Sequence, residues 1–285
     1  MKKKLLIVGL GSLVGRHLAG LDLSFYEVFY ITRDVRKCVI DSSYILFDLD
    51  EPEHTLKNHH FDECVYMADL PKIFTLVNSG ASFDRIIAFS TSSVLTKAES
   101  SHSSDIKLVS DFERAQLRLK DWCMSSSVSC VILQPTMIYD IGRDHNLTVM
   151  KNFIEKYRFF PLIGAYSGLR KPVSASDLGM LVLDILGKQT WSRQFMIFTV
   201  SGGETISFRE LLERIFCLCG TRPIFIPVNK KIFSLALKSL NMFGLMKNIG
   251  SEMIDHAEMD FIFDNTPIYR EFGFVPKSLI TDPHR

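Results

Sequence analysis

Three glycines near the start of the chain have the spacing of a phosphate-binding turn. Gly9, Gly11 and Gly15 follow a short apolar run and open a helical pattern. Gly9 permits the tight turn, Gly11 lets the backbone approach a pyrophosphate, and Gly15 lets the helix pack close to the strand. Ser12 and Leu13 begin the helix, whose free N–H groups favour a phosphate. The pattern predicts a dinucleotide-binding turn, and the alternative is a tight strand–helix turn without a ligand.

A cation stands at the end of the second apolar run. Val28–Ile31 is followed by Thr32 and Arg33, and Asp34 comes one residue later. An acidic residue directly after this strand would bind the ribose hydroxyls of NAD, whereas the planar fork of an arginine suits a 2′-phosphate. Arg33 therefore favours NADP over NAD as the cofactor, and a solvated surface charge is the alternative.

Composition and charge argue against several classes of protein. The 285 residues carry a formal net charge of +1, so no basic excess is present to neutralise nucleic-acid phosphates. The six cysteines show no metal-binding spacing and are expected to be buried thiols in a reducing cytoplasm. No apolar stretch reaches the roughly 18 residues of a membrane span. The interrupted apolar segment 232–249 is expected to be a core-facing or lid helix, with peripheral membrane contact as the alternative.

Apolar runs of strand length alternate with helical patterns along the first half of the chain. The predicted strands are Leu5–Val8, Val28–Ile31, Tyr44–Phe47, Glu63–Met67, Arg85–Phe89 and Val128–Leu133. The predicted helices between them are Ser12–Gly20, Lys72–Asn78 and Phe112–Met124. Such alternation predicts an α/β fold with a doubly wound parallel sheet, whose ligand crevice lies at the carboxyl ends of the strands.

The alternation loosens in the second half of the chain. Helices are predicted at Asn146–Arg158, Ser176–Gly187 and Ser207–Cys219, with a strand at Phe195–Val200 and an irregular loop at Phe159–Gly164. We therefore expect a dinucleotide-binding Rossmann domain over residues 1–145 and a smaller substrate-binding lobe over residues 146–285. The two are expected to be interleaved in space.

Five further segments complete the pattern begun by the glycine turn. They are Phe47-Asp48-Leu49-Asp50, Tyr66-Met67-Ala68-Asp69, Phe89-Ser90-Thr91-Ser92-Ser93-Val94, Gln134-Pro135-Thr136-Met137-Ile138-Tyr139 and Leu169-Arg170-Lys171-Pro172-Val173. In this order the chain resembles the extended and atypical short-chain dehydrogenases/reductases, which include NAD-dependent nucleotide-sugar epimerases and dehydratases. The resemblance implies that Asp48 and Leu49 contact the adenine of the cofactor. It also implies that Ala68, Ser90 and Pro135 line the rest of the cofactor site, with Pro135 beside the nicotinamide.

The resemblance also implies which residues meet the substrate. Ser92 would supply the catalytic hydroxyl, and Tyr139 would offer a phenol beside the cofactor, unless it is an ordinary packing aromatic. Asn146 and Arg170 would bind a nucleotide-sugar, with Arg170 near its diphosphate. The alternative for Asn146 is the N-cap of the helix that follows. No metal ligand set is expected.

One pair of residues departs from the family pattern. The chemistry of the family rests on Tyr-x-x-x-Lys, in which the tyrosine is the acid/base and the lysine lowers its pKa. The best alignment places Phe112 and Gln116 at these two positions, and neither can take the family role. Lys97 and Glu113 are the nearest charged candidates for a substitute. Their alternatives are a loop charge and an acid in the first turn of a helix.

These inferences together predict an NAD(P)-dependent epimerase or dehydratase that acts on a nucleotide-sugar in the cytoplasm. NADP or NAD is the expected cofactor, and a homodimer is expected by analogy with the family. The alternative is a non-catalytic NAD(P)-binding protein with a regulatory or structural role. The missing Tyr/Lys pair favours this alternative, whereas the segment around Arg170 and the second lobe favour a substrate.

Overall fold

The chain divides into two compact units that alternate along the sequence. The computed structural model describes residues 2–34, 36–37, 41, 43–50, 56–98, 100, 102–162, 166–228 and 259–279. The first unit comprises Met1–Thr136, Ala175–Val200 and Asp264–Val275, and the second comprises Met137–Ser174, Ser201–Phe263 and Pro276–Arg285. Each unit is therefore assembled from separate stretches of chain. The apolar segment 232–249, expected to be a helix, lies outside the described residues.

Strands and helices alternate through most of the described chain. The strands are β1 (Lys3–Val8), β2 (Tyr26–Thr32), β3 (Tyr44–Leu46), β4 (His60–Tyr66), β5 (Ser82–Phe89), β6 (Ser129–Pro135), β7 (Ile138–Tyr139), β8 (Phe160–Leu162), β9 (Leu169–Arg170), β10 (Val173–Ser174), β11 (Phe195–Val200), β12 (Ile206–Ser207) and β13 (Phe225–Pro227). The helices are α1 (Leu13–Ala19), α2 (Ile73–Val77), α3 (Ser93–Thr96), α4 (Ser103–Ser126), α5 (Leu147–Tyr157), α6 (Ala175–Gly187), α7 (Phe208–Leu218) and α8 (Thr266–Phe272).

A seven-stranded parallel sheet forms the centre of the first unit. The strand order is β11-β6-β5-β4-β1-β2-β3, and every neighbouring pair is parallel. The residues Leu5–Val8 of β1 are buried on both faces of the sheet, as a central parallel strand requires. The strand order reverses between β1 and β4, so the ligand crevice belongs at their carboxyl ends. The predicted doubly wound sheet is confirmed.

The long helix α4 starts nine residues before the predicted start at Phe112. Its first turn contains Asp105, which is buried and lies 2.5 Å from the ammonium of Lys97. The hydroxyl of Ser100 also donates to Asp105, at 2.7 Å. These contacts stabilise the polar first turns of α4. The predicted start was too late because it relied on apolar periodicity, which does not detect polar contacts. Lys97, a charged candidate to replace the missing tyrosine, is thus engaged in an ion pair.

The second unit has its own small core between α5 and α7. Buried residues of α5, including Leu147 and Ile154, belong to one cluster with Leu211 and Ile215 of α7. Helix α7 begins as predicted, because the hydroxyl of Ser207 accepts the N–H three residues later at 3.0 Å. The expected loop at residues 159–164 instead contains β8, which pairs with β13.

None of the described helices combines the length and apolarity needed to cross a lipid bilayer. Cys64, Cys123 and Cys130 are buried free thiols, and burial raises the pKa of Cys64. The expectation of buried thiols is wrong for Cys217, which is exposed, while Cys219 is half-buried. Cys217 lies in the last turn of α7, and Cys219 is its C-cap. Cys38 lies outside the described residues.

Candidate functional site

A cleft of about 580 Å³ opens in the first unit at the carboxyl ends of its central strands. Residues that follow β1, β2, β3 and β4 all contribute to its walls. Six residues predicted to bind a cofactor line this one cleft: Gly9, Gly11, Arg33, Asp48, Leu49 and Ala68. The structure therefore brings together side chains and backbone that are far apart in the sequence, at the place where the strand order reverses.

Two glycines of the turn are required by the fold itself. Gly9 has a φ of +91°, and a Cβ there would lie 2.8 Å from the carbonyl carbon of Met67 at the end of β4. A Cβ on Gly15 would lie 2.5 Å from the carbonyl oxygen of Gly9. Any larger residue at either position would displace backbone, because Cβ atoms do not approach other heavy atoms so closely. These two glycines let α1 and β4 pack against the turn.

Gly11 is different, because the fold does not require a glycine there. A Cβ at Gly11 would meet no heavy atom within 4 Å and would point into open space. The exposed residue lines the cleft. A glycine that is dispensable for packing but faces a cleft is expected where a ligand approaches the backbone.

The start of α1 is fixed by the turn residues. Ser12 is the N-cap, and its hydroxyl accepts the N–H of Gly15 at 3.0 Å, while its own N–H donates to the Gly9 carbonyl at 2.9 Å. Leu13 is the first helical residue and is half-buried. The exposed Arg16 donates from Nε to the Gly11 carbonyl at 3.2 Å. Arg16 is a cation beside the glycine turn that the sequence reasoning missed, although it lies one helical turn after Ser12.

The end of β2 presents an arginine to the cleft. The side chain of Arg33 is 73% exposed, and its Nη1 lies 4.0 Å from Oδ2 of Asp50. The neighbouring Asp34 is turned to Arg36, whose guanidinium donates to both of its carboxylate oxygens at 3.0 and 3.1 Å. Arg33 lines the cleft, and Asp34 is not among the described residues of its lining. The end of β2 therefore presents a positive charge to the cleft.

Two further cations and an aromatic ring line the same cleft. Lys72 forms an ion pair with Asp50, and Lys37 lies with its Nζ 5.8 Å from the ring centroid of Tyr44. The hydrogen bond from Lys72, together with the charge of Arg33, lowers the pKa of Asp50. Neither lysine was singled out from the sequence, because each lies in a different segment and neither belongs to a motif.

The residues that follow β5 and β6 are held together by main-chain hydrogen bonds. The N–H of Ser90 donates to the Leu133 carbonyl at 2.8 Å, and the N–H of Ser92 donates to the Pro135 carbonyl at 3.1 Å. Ser92 is buried and stands at the start of α3. These bonds place Ser90, Ser92 and Pro135 at the same carboxyl edge of the sheet as the cleft.

Gln116, aligned with the lysine of the family motif, belongs to a neutral hydrogen-bonded network. Gln116 is buried on α4 and donates from Nε2 to the hydroxyl of Ser90 at 2.9 Å. Gln134 lies 3.4 Å from the Oε1 of Gln116. Phe112 packs against the core of the first unit, and Glu113 is exposed. The network consists of amides and a hydroxyl, so its members keep their protonation state near neutral pH.

In the second unit, the structure separates the two alternatives for Asn146. Asn146 stands at the N-cap of α5, but its side chain makes no capping hydrogen bond. The buried carboxylate of Asp144 accepts the N–H groups of Asn146 and Thr148 at 2.7 and 3.1 Å. The helix start is therefore stabilised by Asp144, and the exposed amide of Asn146 is not used for capping.

The other predicted residues of the second unit are buried. Tyr139 is 4% exposed and belongs to the core cluster of this unit. Arg170 donates from Nη1 to the main-chain carbonyls of Leu169 and Met259, and its guanidinium lies 4.3 Å from the ring centroid of Phe261. Burial lowers the pKa of Arg170 to about 10. The roles of Tyr139 and Arg170 at a substrate stay predictions.

Comparisons with known proteins agree with this architecture. No protein-family model and no curated protein sequence matches the chain. RMD from Pseudomonas aeruginosa, solved in complex with NADPH, superposes with a TM-score of 0.66 at 13% identity, covering 98% of this chain and 96% of that chain. UDP-glucuronic acid 4-epimerase from Bacillus cereus, in complex with UDP-glucuronic acid and NAD, gives a TM-score of 0.69 at 13% identity, with 98% and 95% covered. A nucleoside-diphosphate-sugar epimerase from Staphylococcus aureus gives 0.64 at 16% identity, with 98% of both chains covered. The family resemblance is thereby confirmed at the level of the fold.

Proposed function

We propose that the first unit binds a nicotinamide dinucleotide, with NADP preferred over NAD, in the cleft at the carboxyl ends of β1 to β4. The observation that carries the proposal is Gly11, a glycine that the fold does not require and that faces this cleft. The similar solved structures of RMD and of UDP-glucuronic acid 4-epimerase, which contain NADPH and NAD, support it.

Each wall of the cleft offers a different part of the recognition. The turn at Gly9 and Gly11 would hold the pyrophosphate, with Arg16 as a nearby cation. Asp48 and Leu49 would contact the adenine, and Arg33 would bind the 2′-phosphate through its fork of N–H donors. Ala68, Ser90 and Pro135 would border the remainder of the cofactor. When bound, the nicotinamide would supply a centre that accepts or donates hydride.

The substrate that the proposal favours is a nucleotide-sugar. The fold shared with a nucleoside-diphosphate-sugar epimerase supports this class of ligand. In the second unit, the amide of Asn146 is exposed and is not used for capping, so it is a suitable hydrogen-bonding partner for such a ligand. Ser92 would orient a sugar hydroxyl. Tyr139 and Arg170 support this class of ligand less directly, because both are buried in the second unit.

A second candidate function is a dinucleotide-binding protein with a regulatory or structural role. It is favoured by Phe112, which packs against the core, and by Gln116, which is held in a neutral network. General acid–base catalysis contributes about 10²–10⁴ in rate. Without a group that exchanges a proton, hydride chemistry on a sugar would be slower by about this factor.

Thermal unfolding with separate ligands tests both candidates. A ligand present at a hundredfold excess over its dissociation constant stabilises the folded state by about 2.7 kcal/mol. NADPH is expected to stabilise the protein, and NAD less so; stabilisation by neither would refute the proposal. Stabilisation by UDP- or GDP-sugars, with slow turnover that Ser92→Ala abolishes, would favour the enzyme. Binding of NADPH alone, with no turnover, would favour the second candidate.

A further inference from the structure

Asp50 lies between two cations of the cleft. Its Oδ1 is paired with the ammonium of Lys72, and its Oδ2 lies 4.0 Å from Nη1 of Arg33. All three residues line the cleft. The side chains of Asp50 and Lys72 are 51% and 41% exposed, so water and solutes reach them. The carboxylate thus has a different cation on each oxygen.

The backbone that carries Asp50 is held in place. The N–H of Asp50 donates to Oδ1 of Asp48 at 2.9 Å, closing a short side-chain turn. The carbonyl of Leu49 accepts the hydroxyl of Thr75 from α2 at 3.0 Å. These two hydrogen bonds hold the backbone of residues 48–50, which carries the carboxylate of Asp50 beside the two cations.

Among the described residues, the lining of the cleft carries as many cations as acids. Its lining includes three cations and three acids: Arg33, Lys37, Lys72, Asp48, Asp50 and Asp69. A phosphate monoester binds guanidinium and ammonium groups in the same way as a carboxylate, with more oxygens and more charge. An anionic ligand that binds Arg33 and Lys72 must therefore replace Asp50 as their ion-pair partner.

We propose that Asp50 is an internal counter-anion, which the 2′-phosphate of a bound dinucleotide displaces from Arg33 and Lys72. Asp50 then sets how strongly the cleft prefers a dinucleotide with this extra phosphate over one without it, and Lys72 is a second cation that contacts the phosphate. The inference rests on the proposed binding of a nicotinamide dinucleotide. Exchange of Asp50 for the phosphate lowers the affinity for NADP, whereas NAD makes no such exchange.

The test is Asp50→Asn, which removes the charge and keeps the shape of the side chain. Titration calorimetry of the full chain in low salt would measure the dissociation constants of NADP and NAD for the wild type and the variant. In the variant, the 2′-phosphate no longer has to break two exposed ion pairs. NADP binding is therefore expected to tighten about tenfold, and NAD binding to change less than about twofold. The matched control is Asp34→Asn, because the carboxylate of Asp34 is paired with Arg36. This control is expected to leave the NADP-to-NAD ratio unchanged.

Salt gives a second arm to the experiment. Raising ionic strength from about 0.02 M to about 0.3 M screens exposed charges, so the gain in NADP affinity from Asp50→Asn is expected to shrink. An unchanged ratio, or equal changes for NADP and NAD, in a variant that binds both would overturn this inference alone. A wild-type protein that binds neither dinucleotide would instead overturn the proposed function and this inference with it.

Discussion

The central sheet carries one charged cluster towards the amino ends of its strands, the amino edge, and another at their carboxyl ends, the carboxyl edge. The two clusters differ in their exposure to solvent. At the amino edge, Glu63 is 1% exposed and pairs with Arg85. The hydroxyl of Tyr26 donates to Glu63 at 3.2 Å, and Lys3 lies 3.4 Å away at the surface. At the carboxyl edge, the ions that surround Asp50 line an open cleft.

The buried ions of the amino-edge cluster, Glu63 and Arg85, have several partners within the protein. Arg85 donates to the Lys188 carbonyl at 2.6 Å, and its guanidinium lies 4.9 Å from the ring centroid of Trp191. Burial, together with the charge of Glu63, raises the pKa of Tyr26. A buried ion pair whose hydrogen bonds are made within the protein supports the fold and is not available to a ligand.

The contrast shows how an ion pair that supports a fold differs from one that can serve a ligand. A buried pair loses both partners' hydration, so breaking it leaves an uncompensated charge inside the protein. An exposed pair contributes little to folding and exchanges its partners readily. The same residue types thus stabilise the sheet at one edge and remain available for binding at the other.

The largest effect is expected at the amino edge, from Arg85→Leu. This variant leaves the buried Glu63 with only the exposed Lys3 as a cation, and loss of one partner of a buried pair costs about 3–5 kcal/mol in the free energy of unfolding. Urea denaturation measures this loss. Dinucleotide affinity of the folded fraction is expected to stay unchanged, because the cluster is at the opposite edge from the cleft. A loss below about 1 kcal/mol would show that the pair acts like an exposed one.

The next effect is expected in the glycine turn, from Gly11→Val. A Cβ at Gly11 would meet no heavy atom within 4 Å beyond its chain neighbours, so the variant is expected to fold with an unchanged unfolding midpoint. It would occupy the space that a pyrophosphate needs, and dinucleotide binding is expected to weaken at least about a hundredfold, or 2.7 kcal/mol. Calorimetry measures the affinity.

Gly15→Ala is the matched control for the turn. A Cβ there would lie 2.5 Å from the Gly9 carbonyl oxygen, so this variant is expected to lower the thermal midpoint. Affinity of Gly11→Val for NAD and NADP equal to that of the wild type would contradict the role given to Gly11.

A smaller and more selective effect is expected from Arg33→Ala. Loss of a hydrogen bond to a charged group costs about 1.5–3 kcal/mol, so NADP binding should weaken by this amount while NAD binding changes little. Competition between the two dinucleotides would measure the difference. Equal losses would assign Arg33 to the fold or to the adenine, and no loss would make it a surface charge.

The smallest effect returns to the amino edge with Lys3→Met. The side chain of Lys3 is 54% exposed and lies 3.4 Å from Glu63. An exposed ion pair contributes about 0.2–1 kcal/mol, so urea denaturation should show a loss within this range. A loss as large as that of Arg85→Leu would mean that Lys3 compensates the buried carboxylate as strongly as Arg85 does.

Much of the first unit follows from local patterns in the sequence. The predicted strand Leu5–Val8 lies within β1, and the predicted strand Phe195–Val200 has the bounds of β11. Parallel strands buried on both faces need unbroken apolar runs, and such runs are visible without knowledge of the fold. The start of α7 at Ser207 was also predicted, because N-capping depends on residues a few positions apart.

The predictions were weaker where distant residues decide the outcome. The pairing of Lys97 with Asp105 lets α4 begin before its apolar stripe, and Asp144 takes the capping role that Asn146 could have had. Arg170 has a motif that fits a ligand, yet its guanidinium is held by main-chain carbonyls and aromatic rings. The hydrogen-bond and ion-pair partners of a polar side chain depend on residues that are distant in the sequence. Local sequence patterns therefore do not predict them.

The sequence by itself determined the strands of the central sheet and the glycine turn, because hydrophobic periodicity and the steric limits of glycine are local properties of a chain. Only the tertiary structure decided which charges share the cleft. Arg33, Asp50 and Lys72 follow three different strands, and they meet because parallel strands carry their carboxyl ends to one edge. Burial likewise separated the Glu63 pair from the Asp50 pair, since the free energy of a charge depends on the water and partners around it.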